Sequence, residues 1–245
     1  MLKFFRKIRQ QLAYDNNLSK YSRYAIGEIF LVVIGILIAL QINNWNEKRK
    51  DGLRATAYMH RISEDLDRSI KRSTRLAEMN RSILKSVTET QLYLERGTEL
   101  TAEERETVEY ALLWFPRTTY LLPSLLTYEE MKESGDLYLI EDIALRNELA
   151  EFYSYLIQVE AVYEKLSNDV ENQFGVYNSK IRAHTDPETL DITFDYDFNE
   201  MSQDALFINT FSRMSIHWRG FVYFMERVNR LSMELHSKIE ASINP

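Results

Sequence analysis

The sequence contains no cysteine, and it has only seven glycines and four prolines in 245 residues. Without cysteine, the chain has no disulfide, no thiolate nucleophile and no cysteine-ligated metal site. Few glycines and prolines disfavour a β fold with many tight turns and therefore favour helices. The sequence also lacks a phosphate-binding glycine loop, a dinucleotide fingerprint and a His-x-x-x-His zinc motif. It therefore predicts neither an enzyme nor a bound cofactor.

The net charge of −7 is distributed unevenly along the chain. Residues 1–24 carry six Lys or Arg and one acidic residue, whereas residues 43–245 carry 24 basic and 35 acidic residues. Phosphate binding needs clustered cations, so an acidic domain of this size argues against nucleic acid as a partner.

One long apolar run, YAIGEIFLVVIGILIALQI at residues 24–42, contains a single charged residue, Glu28. A helix of this length is roughly 28 Å long, which is enough to cross a hydrocarbon core of about 30 Å. No small-x-small cleavage site follows the run, so the pattern favours an uncleaved anchor in membrane lipid. The sequence thus predicts a tail over 1–23, a transmembrane helix over 24–42 and an extracytoplasmic helical domain over 43–245.

The tail is basic and amphipathic, with Phe5, Ile8 and Leu12 on one helical face. This pattern predicts a helix on an anionic membrane surface, with an unstructured tail as the alternative. Six Lys or Arg precede the apolar run and five follow it within residues 43–61, so the count slightly favours a cytoplasmic N-terminus. In a bacterium, the helix would cross the inner membrane and the large domain would lie in the periplasm.

Four residues of the apolar run, Glu28, Leu31, Gly35 and Ala39, fall close to one helical face. Gly35 and Ala39 form a small-x-x-x-small motif, which lets two helix backbones approach closely. We interpret this face as a contact with a second copy of the chain or with another membrane protein. The alternative is that Glu28 extends to the membrane interface and that the motif has no role.

Two blocks of the chain resemble a known family. MLKFFRKIRQ, together with KYSRYAIGEIFLVVIGILIALQINNWNEKRK, resembles the opening of an uncharacterised family of small single-span membrane proteins common in the Bacteroidota. TYEEMKESGDLYLIEDIALRNELAEFY is similar to the middle section of that family. The resemblance implies one span and a helical extracytoplasmic domain, and it supplies no catalytic residues.

Three long stretches space their apolar residues alternately by three and four, which is the period of an amphipathic helix. The first ends near Gly97, the second starts near Asp142 and the third starts at about Ser202. The pattern predicts an all-α fold, in which one N-terminal transmembrane helix precedes an elongated antiparallel bundle of three long helices, with short helices at the distal end. In this path the second long helix returns towards the membrane and the third leads away again.

Shorter elements lie between the long helices. Thr101 and Glu104 form a capping box for a helix that runs to Phe115, and residues 127–134 predict another helix that is closed by Gly135.

Apolar and polar residues, mostly aspartates, alternate over residues 191–198, which indicates an extended segment. These aspartates, with His184 and Asp186, are carboxylates of the kind that calcium uses. Their spacing does not match a calcium loop, so we interpret them as a solvated surface and predict no metal.

Residues 112–126, LLWFPRTTYLLPSLL, are rich in large apolar residues but contain two prolines. Prolines prevent the segment from hiding these residues on one regular helix face. The segment either closes the top of the core or forms an exposed docking patch at the distal tip. The candidate docking residues are Trp114, Phe115, Tyr120, Leu121 and Leu122.

The aromatic residues of the second and third helices allow two interpretations. At this spacing they are typical of a core, but they would also suit a ligand cleft. These residues are Tyr153, Tyr155, Tyr163, Tyr177, Trp218, Phe221 and Tyr223. The sequence therefore favours a membrane-anchored periplasmic interaction protein, a scaffold or accessory subunit without catalysis. The alternative is a ligand-sensing bundle that signals through a membrane partner.

Overall fold

The computed structural model describes residues 18–117 and 122–244 of the chain. Apart from one two-stranded sheet, the regular structure of these residues is helical, which confirms the predicted all-α class. The elements are α1 (Leu18–Arg96), α2 (Ala102–Trp114), α3 (Leu126–Ser134), a 3-10 turn (Asp136–Leu139), α4 (Ile143–Glu171), α5 (Phe174–Lys180), β1 (Ile181–Thr185), β2 (Ile192–Tyr196), α6 (Phe198–Gln203) and α7 (Ala205–Ile243).

The chain divides into two compact units, with the boundary between Ala55 and Thr56. The first unit contains the N-terminal part of α1, whose large apolar side chains from Ile26 to Ile42 are all exposed. This helix is long and apolar enough to cross a membrane, by its length and composition. The predicted amphipathic helix of the tail lies outside the described residues.

The second unit is a bundle of the C-terminal part of α1, α4 and α7. Helix α7 runs antiparallel to α4, because Lys238 pairs with Glu148 and the Tyr163 hydroxyl donates to the Phe221 carbonyl at 3.1 Å. It also runs antiparallel to α1, because the residues of α7 in contact with α1 have decreasing numbers as those of α1 increase. These contacts are Ser73 with Asn229 at 2.9 Å, Arg81 with Glu226 at 2.6 Å and Thr88 with Ser215 at 3.1 Å.

Because α7 opposes both other helices, α1 and α4 run parallel to each other, and this path differs from the predicted one. The reason is that the connection between them travels back along the bundle. Helix α3 packs beside the start of the second unit, where Thr127 contacts Asp65 and Glu130 pairs with Arg61. Helix α4 therefore begins near the Thr56 end of the bundle.

The β-hairpin lies at the other end of the second unit, near Gly97. β1 and β2 are antiparallel, with Ile181 opposite Tyr196, and β2 confirms the extended segment predicted from the alternating residues. Gly97 ends α1 with a φ of 67°, and a Cβ at this position would lie 3.9 Å from the Ser202 hydroxyl. The hairpin thus lies at the end of the second unit where α1 ends, whereas the predicted path places it at the end where α1 enters this unit.

The capping signals in the sequence are confirmed. The Thr101 hydroxyl accepts from the Glu104 amide at 3.2 Å, and the Glu104 carboxylate accepts from the Thr101 amide at 2.9 Å. The hydrogen bond from Arg96, together with this capping bond, lowers the pKa of Glu104 to about 2. Gly135 adopts a φ of 77° after α3, a left-handed conformation that glycine reaches without steric cost.

Candidate functional site

The predicted contact face on α1 is open in the first unit. Leu31 is 69% exposed, Ala39 is exposed, and a Cβ added at Gly35 would meet no other atom within 4 Å. A second helix therefore has access to this face. The use of the face as an interface, including the role of Glu28, stays a prediction.

The residues predicted as a docking tip divide into two groups. Phe115 is a core residue with 1% exposure, so its assignment to an exposed patch is corrected. Its ring stacks on Phe211 at 4.6 Å and on Tyr177 at 5.4 Å. The physical reason is that Phe115 still has helical backbone angles at the end of α2, so its ring continues the buried face formed by Val108, Ala111 and Leu112.

Of the other four residues, Trp114 and Leu122 are partly buried and pack against the core. Tyr120 and Leu121 lie outside the described residues. The described residues on the two sides of the segment lie at different levels of the second unit, because Phe115 stacks on Phe211 of α7 whereas Thr127 contacts Asp65 near the Thr56 end. For Trp114, Phe115 and Leu122 these placements favour the alternative stated above, in which the segment closes the core, and docking through Tyr120 and Leu121 stays a prediction.

Most aromatic residues that could have lined a ligand cleft lie in the core instead. Tyr163 and Phe221 stack with ring centroids 5.1 Å apart. The Tyr177 hydroxyl donates to the Leu112 carbonyl at 2.8 Å, and burial raises the pKa of Tyr177 to about 12. Trp218 is also buried. These four side chains pack in the interior of the second unit and hold its helices together.

A groove does occur on the surface between α4 and α7, and we call it the α4–α7 groove. Its volume is about 320 Å³, near the lower limit of about 300 Å³ for small-molecule sites. The residues that line it are Glu148, Glu151, Phe152, Tyr155, Arg227, Leu231, Glu234, Leu235 and Lys238. Of the seven aromatic residues considered from the sequence, Tyr155 is the one that lines this groove.

Tyr155 is the unusual residue of the groove. Its hydroxyl is buried, and it has no hydrogen-bond partner within residues 18–117 and 122–244. Burial raises the pKa of Tyr155, and the nearby Arg227 opposes this rise. The Arg227 guanidinium carbon lies 5.1 Å from the centre of the Tyr155 ring, which is within the range of a cation–π contact. A buried hydroxyl without a partner costs free energy, so it can gain from a bound ligand.

The charged residues of the groove were not predicted from the sequence. Each of them occupies an exposed or half-exposed position beside the apolar seam of its helix, as Glu151 does beside Phe152. Such residues are usually solvated, and only the relative register of α4 and α7 brings them to one groove. A signal was present in the i, i+3 and i+7 spacing of Glu148, Glu151 and Tyr155, which places them on one face of α4.

The acidic residues around the hairpin serve as backbone acceptors. The Asp186 carboxylate accepts from the amides of Glu188 and Thr189, and these bonds lower its pKa. The Asp197 carboxylate caps α6 by accepting from the Glu200 amide at 3.0 Å. In the part of the chain that the structure describes, no group of three or more histidine, aspartate or glutamate side chains is arranged to hold a metal ion.

Comparison with known protein families gives a match over most of the chain. A family model, described as a family of unknown function (DUF6090), matches residues 28–209, which is most of the chain. The match includes the apolar part of α1 after Gly27 and the whole of α4, but only the start of α7. No curated protein and no solved structure matches the chain.

Proposed function

We propose that this chain, which belongs to DUF6090, a family of unknown function, is a membrane-anchored helical interaction protein. It would serve as a scaffold or accessory subunit of a membrane complex and carry out no catalysis itself. The observation that carries this proposal is the exposed apolar surface of α1 between Ile26 and Ile42. Within the described residues, no other part of the chain covers this surface.

An apolar helix of this kind is stable in lipid rather than in water. Burying apolar surface is worth about 25 cal/mol per Å², and a helix satisfies all its interior backbone hydrogen bonds within itself. Lipid would therefore cover the large apolar side chains of α1, and the second unit would be held at the membrane surface or beyond it.

The interaction part of the proposal is supported by the face that contains Glu28, Gly35 and Ala39. Small residues allow close helix contact in a membrane, and a carboxylate inside a span is stabilised by a polar partner. The partner would be a second copy of the chain or another membrane protein. Lipid is then excluded from this face, while the rest of the span remains in contact with acyl chains.

The proposed location is the bacterial inner membrane, with the N-terminus in the cytoplasm and the bundle in the periplasm. Six basic residues precede the span and five follow it, and long domains translocate largely regardless of charge. We expect protease added to spheroplasts to digest the bundle and to spare an epitope at the N-terminus. Immunoblotting against both ends measures this, and a protected C-terminal domain would contradict the orientation.

We expect Gly35→Leu to weaken association of the span in a membrane two-hybrid assay. The leucine side chain would fill the space in which a second backbone lies, because no atom of the described chain occupies it. Leu37→Phe is the matched control, since it changes the opposite side of the same helix. Equal effects of the two substitutions would mean that this face is not an interface.

A second candidate function, ligand sensing through a membrane partner, is favoured by a different observation. The α4–α7 groove combines an apolar floor with charged walls and with the buried Tyr155 hydroxyl. Specific small-molecule sites have this composition, with a few placed polar groups over an apolar lining.

A further inference from the structure

Two contacts fix the ends of the α4–α7 groove. At the end nearer Thr56, the Lys238 ammonium pairs with the Glu148 carboxylate at 2.6 Å. At the other end, the Arg227 guanidinium lies over the Tyr155 ring. Both contacts join α4 to α7, so they hold the two walls of the groove in register.

The middle of the groove is acidic. Glu151 lies three residues after Glu148 and four before Tyr155, so it is about 6 Å along the helix axis from Tyr155. No basic side chain of the described residues lies within ion-pairing distance of Glu151. On the opposite wall, Glu234 has only a long contact with Arg230, at 4.0 Å between exposed groups. Exposed pairs of this kind contribute little.

The end formed by Arg227 and Tyr155 is cationic. Arg227 donates to the Tyr223 hydroxyl at 3.4 Å, and no carboxylate of the described residues pairs with it. The Tyr155 hydroxyl beside it lacks an acceptor. A carboxylate placed here would accept charge-assisted hydrogen bonds from the guanidinium and a further bond from the phenol.

Beneath the acidic middle and the cationic end, the floor of the groove is apolar. Phe152 and Leu235 are buried in the core beneath the groove, and Leu231 is half-buried. Leu231 is the most accessible of the three, and together with the atoms of Phe152 and Leu235 that line the groove it would contact a small aliphatic group.

We propose that the α4–α7 groove binds a small zwitterion, an α-amino acid with an apolar side chain. Its ammonium pairs with Glu151 and Glu234, its carboxylate pairs with Arg227 and the Tyr155 hydroxyl, and its side chain lies on Phe152, Leu231 and Leu235. A zwitterion matches the site because the groove contains both a carboxylate and a guanidinium that the protein leaves unpaired. A purely cationic ligand would be attracted by the acidic middle and repelled by Arg227, and a purely anionic ligand would meet the opposite situation.

This inference names the class of ligand for the second candidate function, ligand sensing. Only the biological role of the binding, and not the binding itself, rests on that proposed function. Binding itself does not depend on anchoring or on pairing of the span. A negative binding result with a positive Gly35→Leu result would leave the interaction proposal intact, and the reverse outcome would leave the groove intact.

The test uses the full chain in lipid nanodiscs and isothermal titration calorimetry with three probes. L-leucine carries both charges, N-acetyl-L-leucine lacks the ammonium and L-leucinamide lacks the carboxylate. We expect L-leucine to bind and each single-charge probe to bind at least about tenfold more weakly, because each has lost a charge-assisted contact. Binding of none of the three, or equal binding of all three, would overturn the proposal.

Variants then assign each charge to its residue. Glu151→Gln is expected to weaken the binding of L-leucine and L-leucinamide and to leave the binding of N-acetyl-L-leucine unchanged. Arg227→Gln is expected to weaken the binding of L-leucine and N-acetyl-L-leucine and to leave the binding of L-leucinamide unchanged. Tyr155→Phe keeps the ring but removes the unpartnered hydroxyl, so it should weaken the carboxylate-bearing probes without lowering the melting temperature.

Glu160→Gln is the matched control, because Glu160 is exposed on the same helix but outside the groove. It should leave the affinity for all three probes unchanged. Circular dichroism of every variant should match the parent. If Glu151→Gln and Arg227→Gln have the same effect on each probe, or no effect, the assignment of charges is wrong.

Discussion

Phe115→Ala is expected to lower the free energy of unfolding by about 3–5 kcal/mol, the usual cost of truncating a buried aromatic side chain. The ring is enclosed by Phe211 and Tyr177, and the Phe115 carbonyl accepts from the Trp218 indole at 3.4 Å. Alanine would leave a cavity where α2, α5 and α7 meet. In a unit of this size, each kcal/mol lowers the melting temperature by about 2–4 °C.

Leu126→Ala provides the comparison for this prediction, because Leu126 is 66% exposed at the start of α3. We expect it to change the free energy of unfolding by no more than about 0.5 kcal/mol. Both variants are measured in the full chain by chemical unfolding, with tryptophan fluorescence and circular dichroism as probes. If Phe115→Ala behaves like Leu126→Ala and instead abolishes binding of a partner protein, residues 112–126 form a docking patch after all.

Asp65→Ala is the second substitution with a large expected effect, about 2–4 kcal/mol, because it leaves two buried donors without an acceptor. The Asp65 carboxylate is 8% exposed and accepts from the Thr127 amide at 3.2 Å and from the Thr127 hydroxyl at 2.7 Å. Helix α3 has no side-chain cap of its own at Leu125. Asp65 therefore supplies from α1 the acceptor that an N-cap residue would otherwise provide.

The control for this prediction is Asp67→Ala, whose carboxylate makes an exposed pair with Lys71 at 2.7 Å. Pairs of this type contribute about 0.5 kcal/mol. Asp65→Asn keeps one acceptor oxygen, so it should recover part of the stability that alanine loses. Amide hydrogen exchange of α3 should increase in Asp65→Ala and stay unchanged in Asp67→Ala. Equal exchange in both variants would mean that Asp65 does not hold α3.

The long helices could be predicted because their seams have a clear period. Apolar residues with this period are buried in α1, among them Ile62, Leu66, Ile83, Val87 and Leu94, and in α7, among them Phe207, Phe211, Met214, Trp218 and Phe221. The spacing of apolar residues indicates which face of a helix is buried. It does not indicate whether two packed helices run parallel or antiparallel. The parallel arrangement of α1 and α4 depends on α3 packing against Arg61 and Asp65, which are charged residues that no apolar pattern would select.

Only one of the two strands of the hairpin, β2, was predicted from the sequence. β2 alternates cleanly, whereas β1, with the sequence IRAHT, has no such alternation and forms a strand because β2 pairs with it. The groove could not be predicted for a related reason. Its charged residues look solvated on each helix separately, and the buried state of the Tyr155 hydroxyl exists only when α4 and α7 are packed together.

The position of α7 has a consequence for biosynthesis. This helix contacts both α1 and α4, and its hydrogen bond from Ser63 to Glu240 joins residues 177 positions apart. At the usual rate of about 5–20 residues per second, α7 begins to emerge from the ribosome roughly 5–20 s after the seam of α1 is complete. During this interval the apolar seams of α1 and α4 have no partner helix. The nascent chain is therefore most exposed to holding chaperones and to proteases before α7 arrives.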